Sequence, residues 1–277
     1  MFASHSVIRA AVVAVFTLVS AHAAAQPAAT QPAATAQQPA AAAQQPFEPV
    51  TGQAGKDVIW VPTPQPTVDT MLDLAKLTPQ DYLIDLGSGN GVTVITAAKR
   101  GAKAHGVEFN PDMVTLSRRL AASAGVAERA TFEEGDLYLA DLSKATVITL
   151  FLLPDINRKL RPSLLELAPG TRVVSNTFDM GDWEPDARVD APCTTSWCKA
   201  LLWVVPAKVE GTWQIGADTL LLTQKYQVIE GTLGAAPISA GRLTGADITF
   251  TAGGRVYTGR VTGTTMSGTG WSATKAK

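Results

Sequence analysis

The chain has 277 residues, 46 % of them hydrophobic, with 23 basic and 24 acidic side chains and a formal net charge of −1. That length is enough for a leader plus one large domain, or one medium and one small domain. Balanced charge without a Lys/Arg cluster argues against nucleic acid or an anionic membrane as a partner.

Residues 1–25 contain one basic residue, Arg9, and no acid; an apolar run spans Ala10 to Val19, and small residues follow from Ala21 to Ala25. This is the layout of a secretory signal peptide cleaved after Ala23 or Ala25. The expected location is therefore periplasmic or secreted, or cytoplasmic if the leader is not used. The run is short of the roughly 20 apolar residues of a spanning helix. An uncleaved anchor or an organelle-targeting peptide is the alternative. No second run of spanning length follows, so no stable membrane span is expected once the leader is removed.

Residues 26–46 are Ala, Pro, Gln and Thr only. They have no large apolar side chain to offset the entropy of ordering, which predicts a disordered linker. Folding should start near Phe47, with an α/β domain over 47–207 and a β-meander domain over 208–277.

From Tyr82 to Pro206 short apolar runs alternate with helical segments. "YLIDLG", "KAHGVEFN", "ATFEEGD", "ATVITLFLL" and "TRVVSNTF" read as five strands. Val92–Arg100, Pro111–Ser123 and "PDINRKLRPSLLELAPG" read as helices, with Asn110 placed to cap the second and Pro111 in its first turn. Such alternation predicts a parallel sheet with helices on both faces. "ARVDAPC" and "KALLWVVPAK" fit a hairpin at its edge. After Lys208 the segments are short, rich in Thr, Gly and Val, and punctuated by turn signals. They predict a small antiparallel all-β region: a barrel, a half-barrel, or a sheet laid on the first domain.

The stretch Gly87-Ser88-Gly89-Asn90-Gly91 lies where the first strand turns into its helix, the place at which open α/β sheets bind ligands. Its third glycine comes one position early for a dinucleotide fingerprint, and Val92 holds the sixth place. The loop has no lysine, which excludes a P-loop. Acids stand at three successive strand ends. Glu108, in "GVEFN", is placed to accept hydrogen bonds from ribose hydroxyls. Asp136, in "EGDL", is placed to reach an adenine amino group, and Asp85 to orient an ammonium. Phe109 and Leu137, beside the two later acids, complete the candidate cofactor-binding set.

"DLGSGNG", "GVEFNPDMV", "EEGDL" and "LFLLPDIN…LRPSLLELAPGTRVVSNTFDMGDWEPD" together resemble the class I S-adenosylmethionine-dependent methyltransferases. The nearest likeness is to bacterial relatives of the mitochondrial lysine methyltransferases that modify the c-ring protein of ATP synthase and adenine nucleotide translocase. The resemblance covers about Val58 to Pro206, with "WVPTPQPTVDTMLDLAKL" matching a segment that folds over the cofactor. It implies a Rossmann-like methyltransferase sheet of seven strands, S-adenosylmethionine as cofactor, and a protein or small-molecule amine, including protein lysine, as acceptor. Asn90 and Val92 depart from the residues common in the family, Asp and Arg.

An amine acceptor must arrive deprotonated, and the sequence offers no clear base for that. Phe151, Leu152, Pro154 and Asp155, at the end of the fourth strand and in its loop, and Asn176, Asp179 and Trp183, at and after the fifth, are the candidates for the acceptor pocket. Phe151 and Leu152 read equally as strand core, and Asp155 as a helix cap. Cys193 and Cys198, the only cysteines, read as a local disulfide in an oxidising compartment, or as two free thiols. Export and a cytoplasmic cofactor conflict. The rival expectation is thus an exported, non-catalytic envelope binding module on the same fold.

Overall fold

The computed structural model describes residues 13–18, 20 and 47–276. The expected leader, apart from residues 13–18 and 20, and the expected linker lie outside the described residues.

Seven strands form the first sheet: β1 (Tyr82–Leu86), β2 (Lys103–Glu108), β3 (Ala130–Glu134), β4 (Val147–Leu150), β5 (Arg172–Asn176), β6 (Ala187–Asp190) and β7 (Lys199–Val204). Their order is β3-β2-β1-β4-β5-β7-β6. β1 to β5 run parallel, and the β6–β7 hairpin closes the edge with β7 antiparallel to β5. The order of strand addition switches sides between β1 and β4, which opens a crevice at the carboxyl ends of the central strands.

The alternation along β1 and β4 assigns the two faces. Leu83 and Val147 pack with α1 (Gln65–Leu74), α2 (Val92–Lys99) and α3 (Pro111–Ser123). Ile84, Leu86, Ile148 and Leu150 pack on the other face with α4 (Pro154–Leu165). α3 begins as expected: the Asn110 side chain accepts from the Asp112 and Met113 amides at 2.9 and 3.4 Å, and Pro111 occupies the first turn. α4 ends at Leu165, earlier than the sequence pattern suggests. The second face has one helix; the irregular segment with Leu137, Tyr138 and Leu142 fills the space beside it. No helix among the described residues is long and apolar enough to cross a membrane.

The C-terminal strands close into an eight-stranded antiparallel barrel, one of the three arrangements the sequence allows. They are β8 (Gly211–Ile215), β9 (Asp218–Lys225), β10 (Val228–Leu233), β11 (Ala236–Thr244), β12 (Asp247–Ala252), β13 (Arg255–Thr262), β14 (Thr265–Gly268) and β15 (Trp271–Lys275). β15 pairs with β8 to complete the ring. The interior is filled by Trp213, Leu220, Leu222, Phe250, Met266 and their neighbours.

Consecutive barrel strands are joined by two-residue turns, as the registers Ile215↔Asp218, Lys225↔Val228 and Leu233↔Ala236 illustrate. Such tight turns need positive φ, which glycine adopts without a steric cost. Gly216, Gly234, Gly245, Gly253, Gly263 and Gly270 supply it. The β9–β10 turn is Tyr226-Gln227 instead, with Tyr226 at φ 55°. This turn docks on the first sheet. The Tyr226 ring stacks on Trp183 at 5.9 Å, its hydroxyl donates to Asp182 at 3.0 Å, and Gln227 Nε2 donates to the Glu184 carbonyl at 2.7 Å. An Arg242–Asp186 ion pair lies at the same junction. Glycine would relieve the turn but would remove the docking side chain.

Tyr226→Ala should therefore loosen the barrel from the sheet, at a cost of about 1–3 kcal/mol from the lost ring contact. Thermal unfolding of the variant, followed by calorimetry, checks this; a melting temperature equal to the parent's would refute the docking role.

Candidate functional site

The glycine loop between β1 and α2 is held by left-handed backbone: φ is 75° at Gly87, 53° at Gly89 and 77° at Gly91. At two of these positions side-chain space is missing as well. A Cβ on Gly89 would fall 2.6 Å from Trp60 Nε1, and one on Gly91 2.7 Å from the Phe132 ring. The loop is thus packed from both sides, and its exposed backbone lines an open cleft of about 1030 Å³, open solvent included.

Glu108, at the end of β2, accepts from the Gly89 amide at 2.9 Å with one carboxylate oxygen and from the Asn110 amide at 3.0 Å with the other. It ties the glycine loop to the start of α3 and still lines the cleft. A carboxylate oxygen has more than one acceptor direction, so capacity remains for hydroxyls of a ligand.

Asp85 is buried, 6 % exposed, on the face of the sheet that packs against α1 to α3. Its neighbour across the ladder, Thr149, donates to it at 2.6 Å. Burial pushes the Asp85 carboxyl up to about 7, the Thr149 hydrogen bond opposes that rise, and the Glu108 charge adds to it. A cation placed against Asp85 would relieve the burial cost by favouring the charged form.

Asp136 accepts from Lys56 Nζ at 2.7 Å and from the Tyr138 amide at 3.0 Å. The Lys56 hydrogen bond, aided by the Tyr138 amide, holds the Asp136 carboxyl below the usual carboxylate range. Lys56 also sits 5.2 Å from the centroid of the Phe109 ring. It belongs to a short hairpin, with an Ala54↔Ile59 bridge, that crosses the cleft and ends at Trp60. Both Asp136 oxygens are therefore engaged, and a ligand amino group must share one with Lys56 or the other with the Tyr138 amide.

The lining carries Asp57, Asp85, Glu108 and Asp136 against Lys56 as its one cation among the described residues. That balance favours a ligand with positive charge and disfavours a pyrophosphate. The Ser88 hydroxyl lies buried without a partner at the same loop. A tight glycine cradle, a carboxylate at the β2 end and an excess of acid fit an adenosyl sulfonium with an ammonium group.

All ten residues expected to bind cofactor, Asp85, Gly87, Ser88, Gly89, Asn90, Gly91, Glu108, Phe109, Asp136 and Leu137, gather in the loop and strand ends around this cleft, and each but Gly91 lines it. Gly91 faces inward to Phe132. The acceptor candidates divide. Phe151 and Leu152 line the cleft. Pro154 opens α4, and Asp155 is exposed and paired with Arg158, both outside the lining. Asn176 is buried at the end of β5 with its Nδ2 unpartnered, and Asp179 is exposed with its carboxylate on the Gly181 amide. Trp183 is fully buried 6.2 Å from Trp203 and under Tyr226, so it is part of the sheet–barrel junction and no pocket wall.

Sequence reasoning passed over Lys56 and Thr149, and reached Trp60 only as the first residue of the segment expected to fold over the cofactor. Thr149 had a legible signal, a polar residue in an otherwise apolar strand. Cys193 and Cys198 form the expected disulfide, in the connection between β6 and β7.

Residues 85–187 match the family described as the ANTKMT methyltransferase domain. The chain is 44 % identical over 131 residues to a protein-lysine N-methyltransferase of Saccharolobus islandicus, covering 46 % of this chain and 81 % of that one. It is 38 % identical over 116 residues to the mouse lysine N-methyltransferase named for the C subunit of ATP synthase, covering 42 % of this chain and 47 % of the mouse protein. The chain thus spans about half the length of that relative. Among solved structures it is similar to an RNA methyltransferase of Salinibacter ruber in complex with S-adenosyl-L-homocysteine. Identity there is 50 %, the TM-score is 0.51, and the match covers 54 % of this chain and 96 % of that one.

The buried carboxyl gives the site a pH signature. Folding raises Asp85 from 3.8 to about 7, so the folded state holds its proton more tightly. The resulting destabilisation begins as pH rises past 3.8 and is complete above 7. Asp85→Asn keeps an acceptor for Thr149 and removes the charge. It should stabilise the protein by about 1–3 kcal/mol more at pH 8 than at pH 5. Urea unfolding at the two pH values measures the difference, and equal effects would show that Asp85 is not a buried titrating acid.

Proposed function

This chain belongs to the class I S-adenosylmethionine-dependent methyltransferases, in the family of the ANTKMT methyltransferase domain and protein-lysine N-methyltransferases, and on that premise we propose that it methylates the side-chain amine of a protein lysine. The observation that carries the reading is the Glu108 carboxylate between the glycine loop and α3, in a cleft with an excess of acid. The lysine acceptor is supported by the activity named for the Saccharolobus and mouse relatives. The Salinibacter relative is named for RNA. Protein is favoured over RNA because the chain lacks a basic cluster and has as many acids as bases within one.

When bound, the cofactor supplies an electrophilic methyl group on a sulfonium. Glu108 would hold the ribose hydroxyls, and Phe109 and Leu137 would flank the base, with Asp136 and Lys56 beyond it. The backbone from Gly87 to Gly91 and the buried Asp85 would take the amino-acid end. Phe151 and Leu152 border the side from which an acceptor enters. The contribution of these residues is alignment and exclusion of water.

Calorimetric titration of S-adenosylmethionine into the full chain should give one site, weakened about tenfold to a hundredfold in Glu108→Ala. Labelled methyl should then pass to poly-L-lysine and not to an RNA pool. Transfer to RNA alone would overturn the lysine assignment, and absence of cofactor binding by folded protein would overturn the activity.

We also propose that the chain is exported, which the leader pattern and the Cys193–Cys198 disulfide support. Intact mass of the protein recovered from cells should place the mature N-terminus after Ala23 or Ala25. A product that keeps residues 1–25 would sink this.

A further inference from the structure

Three aromatic rings stand together at the acceptor side of the cleft. Phe151, which lines the cleft, has its ring centroid 6.1 Å from Phe178 and 6.3 Å from Trp197. None of the three belongs to a core cluster, and Trp197 is 38 % exposed. Packing therefore does not account for them.

The backbone fixes their placement. Phe178 follows a turn centred on Thr177, a β-branched residue at φ 64°, with the Phe178 amide donating to the Asn176 carbonyl at 2.7 Å. This is a γ-turn of the positive-φ kind, which is rare and strained. The Thr177 amide is in turn held by the Lys199 carbonyl at 2.7 Å. Lys199 directly follows Cys198, whose disulfide to Cys193 closes the six-residue loop bearing Trp197. The same backbone contact thus links the turn that aims Phe178 to the loop that presents Trp197. Asp179, next after Phe178, is exposed and forms no ion pair among the described residues.

We propose that Phe151, Phe178 and Trp197 form the acceptor site, a mouth for an alkylammonium side chain that the Cys193–Cys198 disulfide holds in shape. The inference rests on the methyl-transfer reading for what meets the amine there. Ring faces attract a cation and pack against its methylene stem, and both interactions survive successive methylations. Asp179 adds negative charge at the rim. Before transfer the ammonium gives its proton to solvent at this open mouth; the nitrogen–carbon bond then forms as the sulfur–carbon bond breaks.

The test uses the full chain with S-adenosyl-L-homocysteine bound and Nα-acetyl-Nε-trimethyllysine methylamide as the probe, its binding followed by NMR titration. Trp197→Ala and Phe178→Ala should each weaken probe binding about three- to thirtyfold. Cofactor affinity should stay within about twofold, since neither ring lines the cofactor cleft. Trp197→Phe should retain most of the binding, and reduction of the disulfide should weaken it as Trp197→Ala does. Probe binding unchanged in both alanine variants, or absent in the parent, overturns the site. Methyl transfer to poly-L-lysine is scored separately: a parent that binds the probe and the cofactor yet transfers nothing rejects the activity, not the site.

Discussion

Glu108 ends β2 with one carboxylate oxygen on each of two backbone amides, those of Gly89 and Asn110. The loop that carries Gly89 has no helical hydrogen bonds of its own at this point, and α3 begins only one residue after Asn110. That side chain, together with the Ser117 hydroxyl of α3 that donates to the Gly89 carbonyl at 3.0 Å, sets the spacing between the loop and α3. Close packing fixes the rest. Trp60 meets Gly89 from above, while Phe132 and Ser117 meet Gly91 from below, leaving no room for a Cβ at either place. The chain's own packing thus shapes the cofactor cleft, which reduces the ordering that binding would require.

Much of this was legible in the sequence because the signals were local. A short apolar strand running into G-x-G-x-G, and acids at the ends of three successive strands, locate the cleft from chain order alone. Asn110-Pro111 marks the start of α3 for the same reason. What was not legible depends on contacts distant in the chain. The Lys56–Asp136 pair joins residues 80 apart, and the Asp85–Thr149 bond residues 64 apart. Trp183 followed the fifth strand in the position of a pocket residue, yet the barrel turn covers it. Nothing in the local pattern "DMGDWEP" distinguishes those two outcomes. Closure of the barrel is likewise a fact about β15 meeting β8, which no turn signal encodes.

The barrel shows how a departure from a repeated rule can be informative. Six hairpin turns place glycine where φ must be positive, and one places Tyr226. The residue that breaks the rule stacks its ring on a side chain outside the barrel, Trp183. A reader of the sequence who aligned the turns would have had reason to single out Tyr226-Gln227 as a contact point.

Thr177 obeys the same logic at the other end of the sheet. Its backbone sits where glycine would be at ease, and its side chain offsets the strain: Oγ1 donates to Asn176 Oδ1 at 2.9 Å and accepts from the Lys199 amide at 3.4 Å. Glycine there would keep the turn and lose both bonds, leaving the Asn176 side chain, already with Nδ2 unpartnered, without its remaining contact. Strained residues of this kind persist only where surrounding structure over-determines them. Here the over-determination comes from the β5–β7 ladder on one side and the disulfide-closed loop on the other. Both ends of the sheet thus hold a side chain in glycine's conformation, one to seat the barrel and one to aim an aromatic ring toward the cleft.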